Sequence, residues 1–231
     1  MVSIGNRPLL WHIMSIYSRF GFHEFVVCLG YKGYVIKEYF ANYLLHNSDV
    51  TMDLATGSVE VHRANAEPWK VTLVDTGTET MTGGRVRQAL RFVEGDEAFF
   101  LTYGDGLGNI DIARLLEFHK SHGRLATLTA VQPAPRFGSI EIEGGVITQF
   151  AEKAQASAGW VNGGFFVLSP SISTYLTDDS TIWEREPLET LADKHELMAY
   201  EHRGFWHPMD TVRDRDYLDQ LSSSLVPPWM A

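Results

Sequence analysis

Asp105 lies in the stretch LTYGDGLGNIDI (101–112), between Gly104 and Gly106 and directly after the apolar run AFFLTYG. That run reads as a buried strand, and DIARLLEFHKSHG (111–123), closed by a glycine, reads as the helix that follows. A carboxylate at the mouth of a strand, with no side chain on either neighbour, lets a ligand approach the backbone closely. An oxygen ligand there suits a hard divalent cation that also binds phosphate, typically Mg2+. Glycine–aspartate–glycine is also common turn chemistry, so the triplet alone decides nothing. A second aspartate adds weight. GFWHPMDT (204–211) is an aromatic, extended run that ends at Asp210 just before a helix. Asp210 or Thr211 suits an N-cap there, and two aspartates on neighbouring strands could clamp one Mg2+ between them.

Other segments are rich in small residues. MTGGRVRQ (81–88) sets Gly83 and Gly84 at a helix start, where backbone N–H groups can receive an anion or a base edge. PRFGSIEI (135–142) and WVNGGFFVL (160–168) place glycines beside strands, where a bulky ligand could press on the backbone. A turn or bulge is the plainer account of each when taken singly. QFAEKA (149–154) ends a strand in Glu152–Lys153, which in isolation reads as a solvated pair. His119 and His122 sit at the end of an amphipathic helix and read as solvated. The histidines show no zinc-ligand spacing, and the tryptophans read as core or interface. Cys28, the single cysteine, lies in the run FVVCLG and reads as a small core residue in a reducing compartment.

The elements that must position these residues alternate. LLWHIMSIYSRF, YVIKEYFANYLL and GGRVRQALRFV carry helical periodicity, and EFVVCLG, KVTLVDT and AFFLTYG read as strands. Such alternation predicts a parallel α/β sheet. After residue 125 the pattern turns to strands, with helices at 183–195 and 211–224, and predicts an extension of the same sheet. In sheets of this kind ligands bind outside the carboxyl ends of the strands, which is where Asp105 falls. The 231 residues fit a single domain. A net charge of −10 without a Lys/Arg cluster argues against a nucleic-acid partner, and no apolar run is long enough for a membrane span.

The order GYKGYVIKEYFANY, WKVTLVDTG, MTGGR, TYGDG, RFG, NGGFFV, WEREPL and GFWHPMDT closely resembles the bacterial glucose-1-phosphate cytidylyltransferases, a branch of the sugar-phosphate nucleotidyltransferases. The resemblance covers essentially the whole chain. It implies a Rossmann-like, mostly parallel mixed sheet flanked by helices, related to the GT-A fold. It also implies a small β insertion, reaching from Tyr34 towards Thr76, or about 42–80 as a unit. The reaction implied is CTP plus α-D-glucose 1-phosphate giving CDP-glucose and pyrophosphate, in the cytoplasm, by a homo-oligomer, for deoxysugars of surface polysaccharides. By resemblance Asp105 and Asp210 hold Mg2+, and Gly83, Gly84 and Arg85 lie along the nucleotide. Gly138, Glu152, Asn162 and Gly163 surround the sugar, and Lys153 meets the sugar phosphate.

Two departures stand out. Ala154 replaces the family's proline after the Glu–Lys pair. The family also opens with a strand, a GGxGTR loop and a PKPM segment, and Met1 falls at the last position of that segment. The resemblance therefore predicts an N-terminally truncated domain with a defect between VVCLG (26–30) and FFLTYG (99–104), impaired in making CDP-glucose. Alternatives are a paralogue that binds sugar nucleotides without catalysis and another NDP-sugar pyrophosphorylase. A nucleotide-sugar glycosyltransferase is disfavoured, because YGDGLGN is not a D-x-D motif.

Overall fold

The computed structural model describes residues 1–133, 139–143, 145–151 and 159–231. In chain order the elements are β1 (Ser3–Ile4), β2 (Arg7–Pro8), α1 (Leu9–Ser18), β3 (Glu24–Leu29), α2 (Gly33–Ala41), α3 (Tyr43–His46), β4 (Ser48–Asp53), β5 (Ser58–Ala64) and β6 (Lys70–Asp75). There follow α4 (Thr82–Ala89), β7 (Phe99–Thr102), β8 (Gly106–Gly108), α5 (Ile112–His122), β9 (Ala126–Val131), β10 (Ser139–Glu143), β11 (Val146–Ala151) and β12 (Val161–Leu168). The last are α6 (Glu186–Asp193), β13 (Leu197–His202), β14 (Trp206–Pro208) and α7 (Val212–Ser222). Local chemistry sets several ends. Asp111 caps α5 by accepting the Arg114 N–H at 2.9 Å, and Gly123, at φ +65°, closes that helix in the left-handed conformation that glycine adopts without strain.

The main sheet runs β13-β9-β12-β7. β13 is parallel to β9, while β12 lies antiparallel to both β9 and β7. The sheet is thus mixed, and helices cover it. β12 is buried on both faces. Phe165 and Val167 enter a core with Ile13, Tyr17, Leu115 and Trp229, while Phe166 and Leu168 enter a second one with Val86, Trp183 and Leu191. A strand buried on both sides is expected to read as a continuous apolar run, as GGFFVLS does. Each such side chain contributes about 1.5–3 kcal/mol by leaving water.

A second ladder, β3 with β6, is parallel and separate. Among the described residues no backbone hydrogen bond joins β3 to β7, the neighbours between which the resemblance places a further strand. Side chains bridge the two ladders. Tyr17 of α1 packs on Phe100 with ring centroids 5.3 Å apart, and Phe22, just before β3, meets the same ring at 4.7 Å. The hairpin β4–β5 pairs Val50 with Val61 and Met52 with Val59. Its base is tied to α1 through Trp11, whose indole N–H donates to Tyr43 Oη at 2.8 Å and to Glu67 Oε1 at 3.0 Å. Among the described residues no helix is long and apolar enough to cross a membrane.

Two features differ from, or refine, what the sequence predicts. Trp183 and Trp229 are fully buried, as core tryptophans should be. His119 is not solvated: it is 5% exposed, and its Nδ1 lies 2.9 Å from Thr127 Oγ1, with His122 Nε2 2.8 Å from the same oxygen. The helix end is turned onto β9, a tertiary contact that helical periodicity does not reveal. Burial, then the charges of His122 and Lys120, push His119 from 6.5 down to about 4. The unfolded imidazole therefore takes its proton first as the pH falls. The stability associated with neutral His119 is fully present above about pH 6.5 and is lost towards about pH 4. We expect a loss of about 2 kcal/mol from this group between about pH 7 and about pH 5. Urea midpoints of the protein and of His119→Asn at both pH values check this. An unchanged pH dependence in the variant would refute it.

Candidate active site

The site is built where β7 runs out. Beyond Thr102, Tyr103 continues the ladder, its N–H donating to Gly164 O at 2.9 Å. Gly104 borders open space, and Asp105 follows on an accessible turn. The chain then enters β8, which pairs antiparallel with β14: Gly106 faces Pro208 and Gly108 faces Trp206. One step beyond the ladder the Met209 N–H donates to the Asp105 carbonyl at 2.7 Å. This register brings Asp105 and Asp210 to the same end of the two strands, as the sequence predicts. Desolvation, followed by the like charge of Asp210, raises the Asp105 carboxyl above its usual range.

Thr211, not Asp210, caps the next helix. Thr211 Oγ1 accepts the Asp214 N–H at 3.2 Å, and the Asp214 carboxylate accepts the Thr211 N–H at 3.0 Å. The capping box holds the chain at the point where Asp210 leaves β14, so the aspartate is not consumed as a helix cap. Among the described residues no cluster of three or more His, Cys, Asp or Glu side chains is arranged to hold a metal. A pair of accessible carboxylates nonetheless fits Mg2+, which keeps several waters and is bound through one or two carboxylates plus substrate phosphates.

Asn162 and Gly163 are brought beside this turn by an irregularity in β12, whose register against β9 shifts between Asn162 and Phe166. Asn162 Oδ1 accepts the Gly164 N–H at 2.8 Å, and its Nδ2 donates to Tyr103 Oη at 3.3 Å. The Gly163 carbonyl accepts the Trp206 indole N–H at 2.8 Å. A Cβ on Gly163 would lie 2.9 Å from Thr129 O, so glycine is needed there for packing alone.

Gly83 and Gly84 open α4, and their lack of side chains has a packing cause. A Cβ on Gly83 would lie 2.8 Å from Thr181 O, and one on Gly84 would lie 2.6 Å from Asp179 Cα. Arg85 turns inward: its guanidinium donates to Leu29 O at 3.2 Å and to Thr76 Oγ1 at 2.5 Å, clasping the ends of β3 and β6. Gly138, Glu152 and Lys153 lie outside the described residues.

Residues not singled out from the sequence complete the neighbourhood. Burial first, then the Glu184 carboxylate, raise the Tyr103 hydroxyl above its usual range, and Glu184 Oε2 accepts the Thr82 hydroxyl at 2.6 Å. Trp206 spans from β14 to Gly163. Glu184 lies in the WEREPL segment, where an acidic residue before a helix is unremarkable by spacing. Only the tertiary fold shows that it faces Tyr103.

A scan against protein-family models finds no match. The chain is 54% identical over 229 residues to the glucose-1-phosphate cytidylyltransferase of Salmonella typhi, covering 99% of this chain and 89% of that protein. It is 45% identical over 215 residues to the probable glucose-1-phosphate cytidylyltransferase of Bacillus subtilis, covering 93% and 84% of the two chains. Among solved structures, HddC from Yersinia pseudotuberculosis superimposes with a TM-score of 0.67 at 19% identity, over 95% of this chain and 88% of that one. A putative glucose-1-phosphate thymidylyltransferase from Bacillus anthracis gives 0.66 at 14% identity, over 97% and 86%. These two structural likenesses speak for the fold alone. With the fold, the paired aspartates and the extent of the identity in agreement, the chain belongs to the glucose-1-phosphate cytidylyltransferase family of nucleotidyltransferases.

Proposed function

We propose that this chain carries the activity for which its relatives are named, transfer of a cytidylyl group from CTP to α-D-glucose 1-phosphate. An oxygen of the sugar phosphate attacks the α-phosphorus of CTP. The bond to the bridging oxygen of the β-phosphate breaks, and pyrophosphate leaves with that electron pair. The nucleophile is already ionised, so no general base is required, and the protein's task is to align two anions and offset charge. The observation that carries the reading is the meeting of Asp105 and Asp210 at the strand ends. These two residues would hold Mg2+, which when bound supplies positive charge to the departing pyrophosphate. Gly83 and Gly84, at the start of α4, lie along the nucleotide, and Arg85 braces the strand ends beside them. Asn162 and Gly163, with Gly138 and Glu152, border the sugar, and Lys153 meets its phosphate as a point charge. The setting proposed is cytoplasmic deoxysugar synthesis for surface polysaccharide, in a homo-oligomer.

Calorimetric titration with CDP-glucose, UDP-glucose and GDP-mannose in the presence of Mg2+ tests the reading. CDP-glucose is expected to bind at least about tenfold more tightly than the other two, the scale of one hydrogen bond recognised at a charged group. Equal affinity for all three would overturn the assignment. Release of pyrophosphate from CTP and glucose 1-phosphate, followed on the same protein, separates catalysis from sugar-nucleotide binding alone.

A further inference from the structure

Thr76 directly follows β6 and is 2% exposed. Its backbone is fully tied. The N–H donates to Leu29 O at 2.9 Å, and the carbonyl accepts Thr80 Oγ1 at 2.5 Å and Gln88 Nε2 at 3.2 Å. Its hydroxyl has a separate use. A guanidinium only donates, so Thr76 Oγ1 accepts from Arg85 Nη1 at 2.5 Å and sends its own proton to Leu29 O at 2.9 Å. Leu29 O also accepts from Arg85 Nη1 at 3.2 Å, and Thr78 O accepts from Nη2 at 3.4 Å. Gly30 completes the seat. A Cβ there would lie 2.7 Å from Arg85 Nη2 and 2.8 Å from Nη1, so the guanidinium fills the space that a larger residue would need. The three acceptors are neutral and orient the guanidinium without offsetting its charge. The seat lies at the carboxyl ends of β3 and β6, the end of a parallel ladder at which ligands bind.

We infer that Thr76 and Gly30 are positioning residues that hold the Arg85 guanidinium in one orientation beside the nucleotide. The inference rests on the proposed function, which places Arg85 next to the nucleotide-binding glycines. The same contacts would also serve an Arg85 that did no more than clasp two strand ends. The two roles differ in what the hydroxyl is for. Without it, Leu29 O still accepts the Thr76 N–H and the Thr76 carbonyl keeps both of its donors, so no backbone acceptor is orphaned and the fold loses little. What goes is the acceptor nearest the guanidinium, and with it the restriction on a side chain rich in rotamers. A methyl at Gly30 reaches the same target by taking the space rather than the bond. The atoms in its way are the far end of a flexible side chain, so Arg85 yields and the backbone stays.

The experiment is equilibrium binding of CDP-glucose, with Mg2+ present, to the protein and to Thr76→Val, Thr76→Ser, Gly30→Ala and Arg85→Met. The double variants Thr76→Val/Arg85→Met and Gly30→Ala/Arg85→Met complete two cycles, and thermal midpoints are taken for all. Arg85→Met is expected to weaken binding at least about tenfold, the scale of a hydrogen bond to a charged group. Thr76→Val and Gly30→Ala are each expected to weaken it about fivefold, and Thr76→Ser, which keeps the hydroxyl, less than about twofold. In the Arg85→Met background neither change should add more than about twofold, since each acts through the guanidinium already removed. Losses as large in that background as in the parent, or a Thr76→Val loss shared by Thr76→Ser, would overturn the inference. Parent-like binding by Thr76→Val and Gly30→Ala would leave Arg85 a clasp of strand ends and overturn it as well. If the parent did not take CDP-glucose, the proposed function would fall and the inference with it. If the parent bound it and Arg85→Met bound it equally well, the inference alone would fall. Thr76→Val and Gly30→Ala act independently, so either carries the comparison should the other fold poorly.

Discussion

Asp210→Asn is expected to weaken Mn2+ binding, read by electron paramagnetic resonance as a probe of the Mg2+ site, by about 100-fold. A cation of this kind is bound almost wholly by charged oxygen, and removing one of two carboxylates takes away half of the protein's contribution. The same substitution should slightly raise the thermal midpoint of the metal-free protein. Asp105 and Asp210 repel each other where the backbone register holds them together, and asparagine relieves that repulsion. Opposite effects on ion affinity and on stability are the signature of a site retained for binding at a cost in stability. Asp105→Asn should behave alike. If Asp210→Asn left the affinity within about twofold, the aspartate would be only the residue before a helix, and Mg2+ would have to be held elsewhere.

Trp229→Ala is expected to destabilise the protein by about 3–5 kcal/mol, the usual cost of deleting a fully buried aromatic side chain. For a chain of this length that corresponds to a fall in thermal midpoint of about 10 °C or more. Trp229 lies in a short 3-10 turn, Pro228–Met230, yet is 0% exposed. Its ring meets His12 edge-on, with centroids 5.5 Å apart, and Phe205 at 6.0 Å. Its indole N–H donates to His12 Nδ1 at 3.3 Å, while His12 Nε2–H donates to Ile4 O at 3.0 Å. These partners select one neutral tautomer of His12, and burial accordingly pushes its pKa below the usual imidazole value. Trp229→Phe keeps most of the buried area and should recover more than half of the loss. A change below about 1 kcal/mol in Trp229→Ala would show that these last residues are not part of the core in solution.

The paired aspartates were legible because both signals are local. An apolar run that stops at a glycine-flanked aspartate, and an extended aromatic run that stops before a helix, each locate a strand end. Strand and helix segments were readable for the same reason, from EFVVCLG to the helix opened by Thr211. What could not be read depends on residues far apart in sequence. The second reason for glycine at Gly83 and Gly84, the approach of Thr181 and Asp179, lies about 95 positions away in the chain. Nothing local to Arg85 announces that Leu29 and Thr76 accept from its guanidinium. His119 belongs to a polar-looking helix end, and only the packing of α5 on β9 makes it internal. Tyr103 and Glu184 are 81 positions apart, and neither has a neighbour pattern that announces the other.

The separation of β3–β6 from the four-stranded ladder has a consequence for how the molecule opens. Backbone hydrogen bonds couple residues within a ladder, whereas the join between β3–β6 and β13-β9-β12-β7 is made by side chains, among them the rings of Tyr17 and Phe22 on Phe100, the Tyr17–Thr102 hydrogen bond, and α4, whose Val86 enters the core beside β12. Cooperativity therefore has a seam. A fluctuation that separates Tyr17 and Phe22 from Phe100 can loosen β3, β6 and the hairpin beyond them without breaking any backbone bond of the larger ladder. Asp105 follows the end of β7 in the larger ladder, and Asp210 follows β14, which pairs with β8. The clasp formed by Arg85 reaches across the seam, from α4 to the ends of β3 and β6. The molecule thus keeps Asp105 at the end of its largest ladder, while β3 and β6 beside it are held by side chains alone.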